Sequence, residues 1–262
     1  MTSLSLLQWL LGGASGVLVG FSLGLVGGGG SILAVPLLVY LVGVPEPHLA
    51  IGTSAVAVAA NAAASLATHA RAGNVRWPCA SVFATAGVLG ALVGAKLGRM
   101  MHGQVLLAAF AGMMVVVGLL MLRRREPLKD RRVRLNRGNA PALVGTGLAV
   151  GALAGFFGIG GGFLIVPGLI FATGMPMLQA VGTSLVAVTA FGLTTAGSYA
   201  AAGLVDWALA AVFVGGGVAG SLLGARAGRL LSCRRGALTK VFAALILLVA
   251  AYVLTRSLGL IG

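Results

Sequence analysis

The sequence predicts an all-α polytopic membrane protein of two homologous halves, an inverted repeat with eight to ten membrane segments and a Gly-rich broken helix in each half. Three observations carry this expectation: a composition too apolar for water, ten apolar stretches, and an internal duplication. Of 262 residues, 59% are apolar and only 8% are charged, against about 25% charged in an ordinary soluble domain. Mean hydropathy is +1.07. Glycine contributes 43 residues without a collagen-like period, and so apolar a chain is not a disordered linker. Acidic residues number four: Glu46, Glu126, Asp130 and Asp206.

Taken in order against the roughly 20 residues that a span requires, the first half offers apolar stretches at 4–26, 31–44, 48–69, 77–98 and 103–122. The N-terminus has no basic leader and no A-x-A cleavage pattern, so residue 4 onward reads as a mature helix and not a cleaved signal. The second half offers 140–157, 162–174, 178–202, 207–228 and 237–257. The second stretch of each half is short, preceded by glycines and contains a proline. It reads either as a short tilted helix or as a re-entrant piece that does not cross. The organisation expected is a first transmembrane repeat at 1–122, a basic cytoplasmic linker at 123–139 and a second repeat at 140–262.

The duplication is explicit. Gly24-Leu25-Val26-Gly27-Gly28-Gly29-Gly30 with Val35-Pro36 aligns with Gly155-Phe156-Phe157-Gly158-Ile159-Gly160-Gly161 with Val166-Pro167. Gly52-Thr53-Ser54 aligns with Gly182-Thr183-Ser184, and Gly73 to Trp77 aligns with Gly203 to Trp207. Gly87, Gly90, Gly94, Lys96, Gly98 and Arg99 fall on Gly217, Gly220, Gly224, Arg226, Gly228 and Arg229. The offset is 131 residues before the Gly-Thr-Ser motif and 130 from it onward.

Charge placement decides between parallel and inverted copies. The net charge is +14, and eight of the 18 Lys and Arg lie between Arg123 and Arg137. If five stretches cross per half and that linker is cytoplasmic, Arg71, Arg76, the linker and the group from Arg226 to Lys240 put 15 cations inside. Lys96, Arg99 and Arg256 remain outside. With four crossings per half the division falls to 11 against 7. Because cytoplasmic loops collect Lys and Arg, the count favours five crossings and an inverted repeat. The same placement argues against nucleic acid as partner: the cations flank apolar segments, where they meet anionic headgroups, with no RNA motif or zinc spacing beside them.

Transporters made of inverted repeats place substrate near the midplane, between broken helices in corresponding positions. Gly27, Gly28, Gly29 and Gly30, with Gly158, Gly160, Gly161 and Gly162, are therefore the first candidate substrate-binding residues. Glycine runs let backbone amides approach a ligand, and a helix starting there aims its N–H groups and positive dipole end at an anion. Close helix packing is the competing reading, and it is the better one for Gly87, Gly90, Gly94 and their counterparts. Thr53, Ser54, Thr183 and Ser184 are the next candidates, since hydroxyls can hold an anion without a fixed charge. Bonding to their own helix carbonyls is the alternative. Asn61 and Gln179 read as helix–helix hydrogen bonds. Lys96, Arg226, Arg99 and Arg229 read as interfacial anchors, and His69 as an interfacial side chain.

No acidic residue falls inside a predicted span, so neither a carboxylate proton relay nor an Asp or Glu cation site has candidates. Without a Walker A sequence, GxSxG, HExxH or a clustered acid–base set, no enzymatic function is expected. Cys79 and Cys233 have no metal or CxxC spacing; neither a metal nor a cofactor is implied.

On the doubled Gly-run, Val-Pro and Gly-Thr-Ser arrangement, from about residue 11 to 257, the chain resembles the sulfite exporter TauE/SafE family. What the resemblance implies is a multi-pass permease of the bacterial inner membrane moving small anions, sulfite or organosulfonates among them. The partners expected are that small anionic substrate and the lipid bilayer, with the oligomeric state open. A channel-like anion pore and a non-transporting membrane assembly partner are the alternatives.

Overall fold

The computed structural model describes residues 6–123, 138–157, 162–232 and 237–257. The calls that fall on the linker after Arg123, on Gly158 to Gly161 and on Cys233 lie outside the described residues. Every regular element described is helical: α1 Leu6–Val26, α3 Pro47–Arg71, α4 Trp77–Arg99, α5 Gly103–Arg123, α6 Ala140–Phe157, α7 Gly162–Thr173, α8 Met177–Ala201, α9 Trp207–Ser232 and α10 Ala237–Ser257. Between α1 and α3 lies a composite segment, α2. It runs as a 3-10 stretch Gly27–Leu33, one α-helical turn Ala34–Pro36 and a π-helical turn Leu37–Leu41.

Local sequence sets these boundaries. Proline stands in the first turn of both α3 and α4, where its missing N–H costs nothing. Asp206 starts α9 by accepting the Leu209 N–H on its carboxylate at 3.0 Å, a side-chain N-cap. Six stretches among the described residues are long and apolar enough to cross a membrane, counting 6–41 as one of 36 residues. That stretch is not straight. A helix of 36 residues would be about 54 Å long, yet the Gln8 side-chain amide donates to the Val42 carbonyl at 3.4 Å. Gly30 lies against the backbone of Ser22 and Leu23. The chain therefore turns after α1 and returns beside it, running back to the level at which α1 began.

Packing interlocks the halves. α1 lies alongside α9, with Gly16 against Phe213, Gly20 against Gly217 and Gly24 against Ser221. α6 lies alongside α4 through the equivalent residues: Gly147 against Phe83, Gly151 against Gly87 and Gly155 against Ala91. In both pairs the residue numbers rise together, so the helices are parallel. α3 and α8 run oppositely: Gly52 at the start of α3 meets Leu204 and Tyr199 past or near the end of α8, while Gly182 meets Asn74. α5 packs on α10 around Gly118 and Leu247. Lipid does not drive apolar helices together, so association depends on close backbone approach. The packing reading of Gly87, Gly90 and Gly94 holds, since all three sit against α6 backbone.

Candidate functional site

The first Gly-rich segment meets Gly162, the described residue of the second run. Gly27 has φ +65°, a left-handed conformation that side chains rarely adopt, and it turns the chain out of α1. Gly28 faces Gly162 at the start of α7; a Cβ on Gly28 would stand 2.7 Å from the Gly162 carbonyl oxygen and 2.6 Å from Val188 Cγ2. Gly28 donates its N–H to Ser184 Oγ at 3.1 Å, and that hydroxyl donates to the Val181 carbonyl at 2.7 Å. Ser31 Oγ donates to the Gly28 carbonyl at 2.9 Å. Gly29 and Gly30 are buried beside them. Of the second run, Gly162 is brought to this junction, while Gly158, Gly160 and Gly161 lie outside the described residues.

The Gly-Thr-Ser motifs tie one half to the other. Thr53 Oγ1 accepts the Asp206 N–H at 2.9 Å, and Thr183 Oγ1 accepts the Arg76 N–H at 3.0 Å. Each threonine thus holds the turn that opens the fourth helix of the opposite repeat. Both are buried, as are Ser54 and Ser184. Ser54, like Ser184, donates to the carbonyl three residues back, at 2.9 Å. The serines bond within their own helix, and the threonines make a cross-tie that the sequence alone did not suggest. With Thr53 and Thr183 both replaced by valine, two part-buried N–H groups lose their acceptor, at a cost of about 1 kcal/mol each, the low end for an unsatisfied donor. A lowered midpoint of thermal unfolding in detergent is the expected result; an unchanged midpoint would remove the cross-ties from the stability of the fold.

Of the other side chains, some take the expected places and some do not. Gln179 receives the Arg76 Nε–H on Oε1 at 3.0 Å, a bond between the halves. Asn61 has no such bond: both its amide atoms are buried without a partner among the described residues. His69 is 2% exposed, with Nε2 donating to the Gly24 carbonyl at 3.1 Å; it is an interior residue, not an interfacial one. Sequence spacing could have shown this, because Asn61, Ser65 and His69 recur at i, i+4 and i+8 and so share one face of α3. Phe191, Thr195 and Tyr199 are their counterparts on α8. Lys96 and Arg226 are exposed, Lys96 in the last turn of α4 and Arg226 six residues before the end of α9. Arg99 donates to the Ser198 carbonyl at 2.9 Å and lies 6.0 Å from the Tyr199 ring centre.

A cavity of about 410 Å³ lies between α3 and α8, lined by alanines with Val56, Leu193 and Trp207. Thr189, its one hydroxyl, donates to the Leu185 carbonyl at 2.8 Å, which leaves this groove almost wholly apolar apart from the Trp207 indole. Among the described residues no three of His, Cys, Asp and Glu stand together to hold a metal ion.

The profile of the family described as Sulfite exporter TauE/SafE matches residues 12–253. A probable membrane transporter protein of Xylella fastidiosa strain 9a5c is 51% identical over 245 residues, covering 93% of this chain and 94% of that protein. A probable membrane transporter protein of Bacillus subtilis strain 168 is 29% identical over 212 residues, covering 80% and 86%. No solved structure matches the chain.

Proposed function

This chain belongs to the sulfite exporter TauE/SafE family, and from that premise we propose a secondary transporter that carries small anions, sulfite or organosulfonates, across the bacterial inner membrane. Its relatives carry the name of membrane transporter, and the apolar helices suit a multi-pass membrane protein. The observation that carries the anion reading is the junction of Gly28 with Gly162, where the two Gly-rich segments present backbone to each other. Gly27 to Gly30 and Gly158, Gly160, Gly161 and Gly162 supply amides to the substrate. Ser184 holds the Gly28 N–H until an oxyanion replaces its hydroxyl as acceptor. Thr183 stands beside Ser184 at this end of the α3–α8 pair, whereas Thr53 and Ser54 stand at its other end, and the two threonines keep the halves in register.

The way the halves interlock supports alternating access. Contacts come in exchanged pairs, Gly20 with Gly217 and Gly151 with Gly87, as an axis relating the repeats requires. The opposed directions of α3 and α8 support an axis in the membrane plane, hence an inverted repeat whose halves rock about the junction. The return of α2 beside α1 supports ten crossings, with Arg71, Arg76 and the basic linker on the cytoplasmic side.

Counterflow of radiolabelled sulfite in proteoliposomes tests the proposal, against sulfonates, sulfate and carboxylates. Saturable exchange with one class of anion is the expected result. Flux that rises linearly with concentration and shows no counterflow would replace the carrier by a pore. No flux from folded protein would leave an assembly partner as the reading.

A further inference from the structure

The interior of α3 holds polar groups that neither the junction nor the cross-ties employ. Asn61 and Ser65 are both 0% exposed. Their side-chain nitrogen and oxygen atoms have no partner among the described residues. An amide and a hydroxyl shut away from water without hydrogen bonds are costly, and costlier where the surroundings are lipid and apolar helix. The space for the amide is provided by α9: a Cβ at Gly217 would land on the Asn61 side chain. One turn beyond Ser65, His69 bonds to Gly24, three residues before the turn at Gly27. The polar face of α3 therefore ends against α1, about one turn short of the Gly-rich segment.

The second half fills the same place differently. Phe191, the counterpart of Asn61, packs on Gly87, the counterpart of Gly217. Its ring stacks on Phe83 with centroids 6.3 Å apart. One repeat thus carries an amide where the other carries an aromatic plug, although their backbones pack alike.

We propose that the Asn61 amide and the Ser65 hydroxyl are ligands for the transported oxyanion, a polar subsite whose amide is peculiar to the first half, since Thr195, the counterpart of Ser65, is likewise a buried hydroxyl without a partner among the described residues. It rests on the anion-transport reading above. The chemistry suits a small oxyanion: the amide offers two N–H donors and the hydroxyl one, with no cation buried in the membrane. Asn61 is packed onto Gly217 in this arrangement, so movement of α3 from the α1–α9 seam admits the ligand.

The test uses full-length protein in lipid nanodiscs, with sulfite, methanesulfonate and sulfate as probes and thermal stabilisation as the readout, alongside counterflow. Wild-type protein is stabilised by at least one of the three. Asn61→Leu raises its half-saturating concentration about tenfold or more, the loss expected for donors to a charged ligand. Without ligand, Asn61→Leu melts above wild type, because an unsatisfied amide has gone. Ser65→Ala also weakens binding, and Phe191→Leu leaves it unchanged. If Asn61→Leu and Ser65→Ala both bind as wild type does, the subsite is overturned while anion transport stands. Failure of wild type to bind any anion overturns both. Should Asn61→Leu yield no folded protein, Ser65→Ala decides by the same criterion.

Discussion

Alanine at Gly28 is expected to lower anion exchange at least about tenfold, the kinetic equivalent of 1.4 kcal/mol, while the protein still inserts and folds. The added methyl would stand 2.6 Å from Val188 Cγ2, 2.7 Å from the Gly162 carbonyl oxygen and 2.8 Å from Gly162 Cα. A valine methyl can yield by rotating, but the Gly162 backbone cannot. Gly28 and Gly162 must therefore part, and the Gly28 N–H leaves Ser184 Oγ. Overpacking of this kind costs about 1–3 kcal/mol, which a helical core can absorb and a binding geometry cannot. Gly145→Ala provides the comparison: nothing lies within 4 Å of its added methyl, and helix propensity favours alanine there by about 1 kcal/mol. Counterflow and thermal unfolding of both variants separate site from fold. Wild-type exchange in Gly28→Ala would take the junction out of the substrate path.

The duplicated motifs made the two halves legible, because a glycine spacing repeated at a fixed offset reports a repeated packing need. Helix limits followed from hydropathy and from Pro, Gly and Trp at the ends, and the structure keeps most of them within about two residues, as helix ends allow. α2 and α9 are the exceptions: α2 spans 27–41 where 31–44 is expected, and α9 runs to Ser232, because Gly228 faces Leu25 of α1 and does not end the helix. What hydropathy does not report is which helix touches which. Gly-Thr-Ser reads as a ligand motif or a self-bonded turn. Only the three-dimensional arrangement brings Thr53 to Asp206 and Thr183 to Arg76, partners 153 and 107 residues away. Asn61 is the converse case. A lone amide in a membrane helix suggests a bond across to a neighbour, and here its neighbour is a glycine with nothing to offer.

Leucine at Gly20 is expected to remove the fold itself. The α1–α9 seam is made where Gly16, Gly20 and Gly24 lie on Phe213, Gly217 and Ser221, and Gly216, Gly220 and Gly224 lie on Gly13, Val17 and Phe21. At Gly20 the first side-chain carbon would fall on the Gly217 carbonyl, so even alanine has no room and leucine has three further carbons to place. The helices can only separate, and separation along a seam loses its close contacts together. In lipid those contacts are the association energy, since the freed surface is as well solvated by acyl chains as by protein. The loss also reaches Asn61, which sits on Gly217 from the α3 side. Leucine at Gly215, where nothing lies within 4 Å, changes only a face open to lipid. Size-exclusion profiles and thermal unfolding in detergent then divide the two: Gly215→Leu elutes and melts as wild type, and Gly20→Leu gives aggregate or no protein. A monodisperse Gly20→Leu variant with a wild-type melting point would show that this seam does not hold the halves together.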